Sequence, residues 1–123
     1  FYGNMKVSVK SSYFRIKERP SFVVYGKNGM FVKEKKDKQE YHLKLFYMPK
    51  NEDFGQDGFE DFGTLTYLED GVIHEEKYPS IKGDYGRVYD NLYATIKEGK
   101  EQFVKPEQTI KVMEILEHGG KFE

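Results

Sequence analysis

The stretch that decides the fold runs from Tyr78 to Leu116 and reads YPSIKGDYGRVYDNLYATIKEGKEQFVKPEQTIKVMEIL. Asp84 is a natural N-terminal helix cap, and Gly99 stands where a helix-ending glycine is favoured. Between them, apolar side chains recur at helical spacing, which predicts one face turned to a core. These side chains are Tyr85, Val88, Tyr89, Leu92, Tyr93 and Ile96. Pro106 suits the first turn of a second helix, with Glu107 favourable beside its dipole. The buried side of that helix is predicted to be Thr109, Val112, Met113 and Leu116, with Gly119-Gly120 at its end.

The chain before this stretch shows β-strand patterns. Met5–Tyr13 alternates apolar and polar side chains, as expected of a half-buried strand. Two hairpins follow, because Asn-Gly and Asp-Gly between apolar runs are strong turn signals. The first joins Ser21–Tyr25 to Met30–Lys33 through Gly26-Lys27-Asn28-Gly29, and the second joins Thr64–Leu68 to Val72–Tyr78 through Glu69-Asp70-Gly71.

A short helix and a loop are predicted between the two hairpins. Asp37 is a potential cap with Glu40 three residues on, which indicates a helix to about Met48, closed by Pro49. The order strand, hairpin, helix, hairpin, two helices predicts an α+β fold: a mainly antiparallel open sheet with helices packed on one face. The other face would stay open unless a partner covers it, so an interface there is expected.

Composition limits the class of protein. A chain of 123 residues has the size of one domain, and its ten Phe and ten Tyr can supply a core despite 33% charged residues. A net charge of -1 predicts no general attraction to nucleic acid or to a membrane surface. The absence of cysteine excludes disulfides and thiolate catalysis and suits a cytoplasmic location. Neither a signal peptide nor a membrane-length apolar run is visible, and the start at Phe1 without Met suggests a fragment.

No catalytic constellation is visible in the residues themselves. His42, His74 and His118 lie far apart without ligand spacing, so structural or surface roles are favoured. The acid-rich residues 50–61 do not match the calcium-loop pattern, which favours a solvated loop and no metal site. Gly26-Lys27-Asn28-Gly29 enters a strand and is a turn, and Gly83-Asp84-Tyr85-Gly86 misses the dinucleotide-binding pattern. The sequence therefore predicts no cofactor site in this chain.

Two basic runs are possible nucleic-acid contacts. They are residues 15–19 and 33–36, and Tyr13 and Phe14 beside the first run could stack on bases. Acidic residues interrupt both runs, however, and the overall charge is near zero. Solvated strand ends are the favoured interpretation.

The order and spacing of several short motifs resemble the glucose–fructose oxidoreductase/inositol dehydrogenase (Gfo/Idh/MocA) family of NAD(P)-dependent oxidoreductases. The most specific likeness lies in Lys82-Gly83-Asp84-Tyr85-Gly86-Arg87-Val88-Tyr89 and Asn91-Leu92-Tyr93. Ser21–Gly29 is similar to the family's strand with a Gly-x-x-Gly turn, and Gly63-Thr64-Leu65 to a later strand. Asp37-Lys38-Gln39-Glu40 resembles its Asp-Pro-Gln-Glu helix start, with Lys38 in place of Pro. The branch with NADP-dependent scyllo-inositol dehydrogenases looks nearest.

The resemblance implies that residues 1–123 are a single substrate and oligomerisation domain from a two-domain enzyme. Such a domain has the C-terminal fold of glyceraldehyde-3-phosphate dehydrogenase, here only in part, and forms homo-oligomers through its open sheet. The family's Gly-rich cofactor turn, its Glu-Lys-Pro lysine and its Gly-x-His-x-x-Asp segment are not found in this sequence. The resemblance thus implies no catalytic residue and no cofactor in this fragment, with NAD or NADP held by an N-terminal Rossmann domain of the parent.

The resemblance also implies a place for the substrate, a sugar, inositol or related polyol. The segment between the first two strands would lie towards the substrate cleft, which makes Arg15, Lys17 and Arg19 candidates for binding substrate hydroxyls. An exposed strand connection is the alternative for each of them. The rival function is a stand-alone protein-interaction module that uses an aromatic sheet face.

Overall fold

The computed structural model describes residues 3–119, which form two compact units. The sheet unit comprises the residues up to Lys36 together with Asp57–Ser80. The helical unit comprises Asp37–Gln56 and the chain from Ile81 onward. Across residues 3–119, no helix has both the length and the apolar character needed to span a bilayer.

The sheet unit is built on four antiparallel strands whose order in the sheet follows their order in the chain. The strands are β1 (Phe22–Tyr25), β2 (Gly29–Lys33), β3 (Gly63–Glu69) and β4 (Val72–Tyr78). A short 3-10 helix, Phe59–Asp61, precedes β3. An antiparallel open sheet accompanied by helices confirms the predicted α+β class.

Both predicted hairpins form, by different turn chemistry. In the β3–β4 hairpin Glu69 pairs with Val72, and the two residues between them, Asp70 and Gly71, have φ of 50° and 79°. Positive φ at both positions is the type I′ geometry that matches strand twist. Asn-Gly is a strong turn signal because both residues tolerate positive φ, so the same geometry is expected at Asn28-Gly29 of the β1–β2 turn. Instead, residues 26–29 all keep negative φ, and the turn closes through a 2.8 Å hydrogen bond from Gly26 N–H to the carbonyl of Gly29.

The predicted strand at Met5–Tyr13 is wrong for the described chain. Met5 forms one isolated bridge, and residues 6–20 have no strand structure and are exposed. Alternation of apolar and polar side chains sets which face a strand would bury, but a strand also needs a neighbour for its backbone N–H and C=O groups. In the described sheet, this segment pairs with neither edge strand, β1 or β4, so its backbone groups have no ladder partner there.

The helical unit contains α1 (Gln39–Lys44), α2 (Gly86–Glu98) and α3 (Pro106–Gly119). Helix α1 is shorter than predicted at both ends. The Asp37 carboxylate accepts a hydrogen bond from Gln39 N–H in a side-chain turn ahead of the helix, and no side-chain cap bond forms. At the other end Phe46 adopts a φ of 56°, which stops the helix before Pro49.

Helix α2 ends as predicted and begins one residue later than its predicted cap. Tyr85 is at the N-cap position without a side-chain cap bond, and Asp84 Oδ1 accepts a 2.8 Å hydrogen bond from Gly86 N–H in a side-chain turn ahead of the helix. Gly99 closes α2 with a φ of 67°. Pro106 is the first residue of α3, and the Gln108 side chain accepts a 2.9 Å bond from Lys105 N–H, as in a capping box. Helix α3 reaches Gly119, so the role predicted for Gly120 lies outside the described residues.

The apolar stripe of α2 does not form the core that its spacing predicts. Val88, Leu92 and Ile96 are 56%, 48% and 71% exposed, and the apolar side of α3 is also exposed. Among residues 3–119, Phe54 is the one apolar side chain that is fully buried. The expected burial is therefore wrong for this chain. Periodicity and capping suffice to form the helices, whereas burial needs a covering layer that their own unit does not supply.

Candidate functional site

The three substrate-side candidates lie in the exposed segment that precedes β1. Arg15, Lys17 and Arg19 are all exposed, and Arg15 Nε donates a 3.1 Å hydrogen bond to the carbonyl of Ser12. The apolar neighbours in this segment, Phe14 and Ile16, are fully exposed too. All three cations lie in one exposed segment, and their role in substrate binding stays a prediction.

A buried glutamine, Gln39, organises the helical unit. Its side chain is 1% exposed, and both ends of its amide are hydrogen-bonded. Gln39 Nε2 donates to Asp37 Oδ2 at 2.8 Å, and Gln39 Oε1 accepts from Tyr85 N–H at 2.8 Å. Two motif stretches that are far apart in sequence, Asp37–Glu40 and Lys82–Tyr89, are thereby joined by one side chain.

Two glycines allow the chain to pass close to Gln39. A Cβ on Gly83 would stand 2.5 Å from both Asp37 Oδ2 and Gln39 Nε2, and one on Gly55 would stand 2.3 Å from Gln39 Cγ. Gly55 also has a φ of 70°. Any larger residue would have to displace the hydrogen-bonded amide, which explains why glycine is needed at both positions. The sequence analysis did not predict this cluster. The signal that could have indicated it is that Gln39 and Gly83 both lie inside the motifs that resemble the family.

In the motif Lys82–Tyr89, a turn that contains Gly83 and Gly86 leads into the N-terminus of α2, and such a turn is a candidate phosphate site. A phosphate there would need free N–H groups and no opposing charge. Gln39 already accepts from Tyr85 N–H and Asp84 from Gly86 N–H, and the Asp84 carboxylate would repel an anion. The residues present do not fit a nicotinamide dinucleotide at this turn.

The loop of residues 50–61 is anchored, and the prediction of a solvated loop is wrong for its centre. In the helical unit Phe54 is 5% exposed, Gly55 N–H donates to His42 Nδ1 at 3.0 Å, and Lys82 Nζ donates to the carbonyl of Glu52. The carboxylate of Asp53 accepts a hydrogen bond from the Tyr47 hydroxyl. This bond lowers the pKa of Asp53 and raises the pKa of Tyr47, because it favours the charged carboxylate and the neutral phenol.

The last part of that loop is held in the sheet unit by a buried ion pair. Lys33 Nζ lies 2.6 Å from Asp57 Oδ2 and donates a 2.7 Å hydrogen bond to the carbonyl of Asp61. The side chains of Lys33 and Asp57 are 10% and 1% exposed. Asp57 Oδ1 has no hydrogen-bond partner among the residues that the structure describes. Lys33 was predicted to lie at a solvated strand end, so its burial is a correction; an acid in the next loop supplies the compensating charge.

The histidines occupy structural positions. The His42 ring packs edge-on against Tyr47 with centroids 5.0 Å apart, and the His74 ring stacks on Tyr67 at 5.2 Å. His118 Nδ1 lies 2.7 Å from the carbonyl of Glu114, one turn back in α3. Within residues 3–119 no three His, Cys, Asp or Glu side chains are placed to share a metal ion.

The chain belongs to the oxidoreductase family whose model is described as "Oxidoreductase family, C-terminal alpha/beta domain", which matches residues 2–120. It is similar to the uncharacterized oxidoreductase YhhX of Escherichia coli, with 42% identity over 97% of this chain and 34% of YhhX. It is also similar to the scyllo-inositol 2-dehydrogenase (NADP(+)) IolW of Bacillus subtilis, with 28% identity over 94% of this chain and 32% of IolW. The chain thus spans about a third of the length of these curated relatives.

Solved structures give the same result. A crystal structure of the probable oxidoreductase yhhX matches with a TM-score of 0.80 and 42% identity, covering 100% of this chain and 36% of that one. An oxidoreductase from Bacillus cereus matches with a TM-score of 0.73 and 40% identity, covering 85% and 31%. The predicted resemblance is confirmed at the level of the family and of its C-terminal domain.

Proposed function

We propose that this chain is the substrate and oligomerisation domain of an NAD(P)-dependent oxidoreductase that acts on a sugar, inositol or related polyol. In the parent, the carbinol carbon gives a hydride to the nicotinamide and the hydroxyl proton leaves to a base outside this chain. The products are a ketone and the reduced cofactor. The cofactor is held by a separate N-terminal Rossmann domain, and the chain alone is inactive.

The similarity to IolW carries the proposal of substrate class and cofactor. That relative is named for an NADP-dependent oxidation of scyllo-inositol, and its likeness extends over 94% of this chain. The engaged N-terminus of α2 supports a cofactor site elsewhere, since its N–H groups already bind Gln39 and Asp84. The cytoplasmic location stays a prediction from the cysteine-free sequence.

The exposed cations before β1 support a substrate contact. Arg15, Lys17 and Arg19 have between them several N–H donors, the groups that bind the oxygens of a polyhydroxylated ligand. Their segment is exposed in the described chain, so the three side chains are accessible to a ligand or to a neighbouring domain. We assign these three residues to the substrate side of the parent's cleft.

The two apolar faces of the sheet support partners on both sides. By the strand register, Val24, Phe31 and Leu65 share one face, where they line an apolar groove of about 580 Å³. Val23 and Val32 lie on the opposite face. A sheet with apolar side chains on both faces is usually covered on both. The proposed covers are helices of the parent on one face and a second copy of the chain on the other.

A chimera tests the proposed function. This chain replaces the corresponding third of YhhX, the relative with 42% identity, and the product is assayed with NADP⁺ or NAD⁺ against scyllo-inositol, myo-inositol and common aldoses. We expect cofactor reduction with at least one polyol, and a roughly tenfold higher KM when Arg15, Lys17 or Arg19 is changed to Gln, the loss of about one hydrogen bond to a charged group. Lys27→Gln, in the exposed β1–β2 turn, is the matched control.

The outcomes separate the two functions that the sequence left open. A chimera that folds and binds NADP⁺ but oxidises no member of the panel would refute the sugar or polyol substrate. That result, together with a stable folded chain on its own, would favour the stand-alone interaction module. Equal KM values for the three cation variants and Lys27→Gln would remove Arg15, Lys17 and Arg19 from the substrate side.

A further inference from the structure

His42 holds a buried backbone amide from its place in α1. Gly55 N–H donates to His42 Nδ1 at 3.0 Å, and Gly55 is itself buried against the side chain of Gln39. The His42 ring also packs against Phe54, with ring centroids 5.7 Å apart. Residues 51–56, here called the anchored loop, therefore meet helix α1 at this ring.

The donor in this hydrogen bond fixes the state of the ring. A backbone N–H can only donate, so His42 Nδ1 must carry a lone pair, and the ring must be neutral with its proton on Nε2. A protonated imidazole carries hydrogen on both nitrogens and cannot accept a bond from Gly55. Proton uptake by His42 and the hydrogen bond to Gly55 therefore exclude each other.

We propose that His42 is a proton-sensitive latch, which holds the anchored loop on α1 while its imidazole is neutral and releases Gly55 when the imidazole takes up a proton. Histidine is the side chain whose charge changes between about pH 5 and 8, so the device would work near physiological pH. On release, the Gly55 backbone moves away from Gln39, and Phe54 loses the cover of the imidazole ring.

Several charged and titratable groups lie around His42. The Asp53 carboxylate in the anchored loop interacts electrostatically with His42 and with Lys82, which lies ahead of α2. The rings of Tyr41 and Tyr47 lie 6.0 Å and 5.0 Å from the His42 ring, and the bond to Asp53 raises the pKa of the Tyr47 hydroxyl. One oxygen of this carboxylate, Asp53 Oδ1, accepts the hydrogen bond from the Tyr47 hydroxyl.

Amide hydrogen exchange of the whole chain tests the latch. We expect the protection of Gly55, corrected for intrinsic exchange, to fall about tenfold between about pH 7.5 and 5.5, as local opening becomes easier. His42→Asn keeps a carbonyl oxygen near the position of Nδ1 that accepts the bond without titrating, so Gly55 protection in that variant should not change over the same range. His74→Asn, in β4, is the control and should retain the wild-type pH dependence.

A second readout needs no variant. The ¹⁵N chemical shifts of His42 at about pH 7.5 should show an unprotonated Nδ1 and a protonated Nε2, and proton uptake should follow the loss of Gly55 protection. A proton on Nδ1 at that pH would overturn the proposal. So would Gly55 protection that does not depend on pH, or that falls equally in His42→Asn.

Discussion

Replacing Gln39 with Leu tests the cluster that joins the two motif stretches of the helical unit. The change leaves the side chain close to its original size but removes the donor to Asp37 Oδ2 and the acceptor for Tyr85 N–H, both at 2.8 Å. Each polar group left unpaired costs about 1–3 kcal/mol, and both are only partly buried, so the lower end applies. We expect Gln39→Leu to lower the free energy of unfolding by about 2–3 kcal/mol.

Urea unfolding followed by circular dichroism measures this loss. With a slope of about 1.5 kcal/mol per molar urea, the midpoint should fall by roughly 1.3–2 M. Gln102→Leu, at an exposed position between α2 and α3, is the matched control and should move it little. Gln39→Glu keeps the acceptor for Tyr85 but sets a second carboxylate against Asp37, so it should be milder at about pH 4 than at pH 7. Equal midpoints for Gln39→Leu and Gln102→Leu would refute the role of this amide.

Three further predictions concern the glycine contact, the buried ion pair and the exposed Tyr47–Asp53 bond. Gly83→Ala should lower the free energy of unfolding by about 1–3 kcal/mol, because its Cβ would stand 2.5 Å from the Gln39 amide. Gly99→Ala has open space around it and should cost only the roughly 1 kcal/mol of an alanine in the left-handed conformation. Thermal unfolding of the two variants measures this difference. Asp57→Asn should lower the free energy of unfolding by about 3 kcal/mol, because it leaves Lys33 buried without a counter-charge. The double variant with Lys33→Met and Asp57→Leu should recover most of this stability. A urea midpoint for the double variant no higher than that of Asp57→Asn would contradict this prediction. The pKa of Asp53 is lower in the folded chain than in the unfolded chain. The Asp53 carboxylate therefore contributes fully to folding stability above the ordinary carboxylate range, and this contribution is lost as pH falls through the folded pKa. Asp53→Asn should flatten the acid limb of the stability–pH curve, and an unchanged limb would show that the Tyr47 bond adds nothing to stability.

The elements that the sequence predicted well are those fixed by local chemistry. Asp70-Gly71 forms a tight turn because its two residues tolerate positive φ, and Pro106 and Gly99 mark helix ends for equally local reasons. The same logic failed at Met5–Tyr13, where strand formation depends on a neighbouring strand. It also failed for the burial of Val88, Leu92 and Ile96, which depends on a covering layer. Periodicity shows which face needs a partner, and it carries no information on whether the partner is present.

The site was less predictable than the fold because its parts are polar and distant in sequence. Gln39 and Tyr85 are 46 residues apart, and nothing in the pattern of either stretch shows that an amide of one accepts from the backbone of the other. Lys33 and Asp57 each read as surface charges, and only the fold brings them within 2.6 Å. The family resemblance marked the stretches that matter, without indicating that Gln39 joins them.

A titration of NADP⁺ into the isolated chain and into the YhhX chimera, followed by calorimetry, tests most directly the claim that this domain serves a cofactor bound elsewhere. We expect no binding heat for the isolated chain at NADP⁺ concentrations up to about 1 mM, a range that would reveal a dissociation constant on the order of millimolar. For the chimera we expect one NADP⁺ site per chain. Stoichiometric binding of NADP⁺ by the isolated chain would contradict the claim.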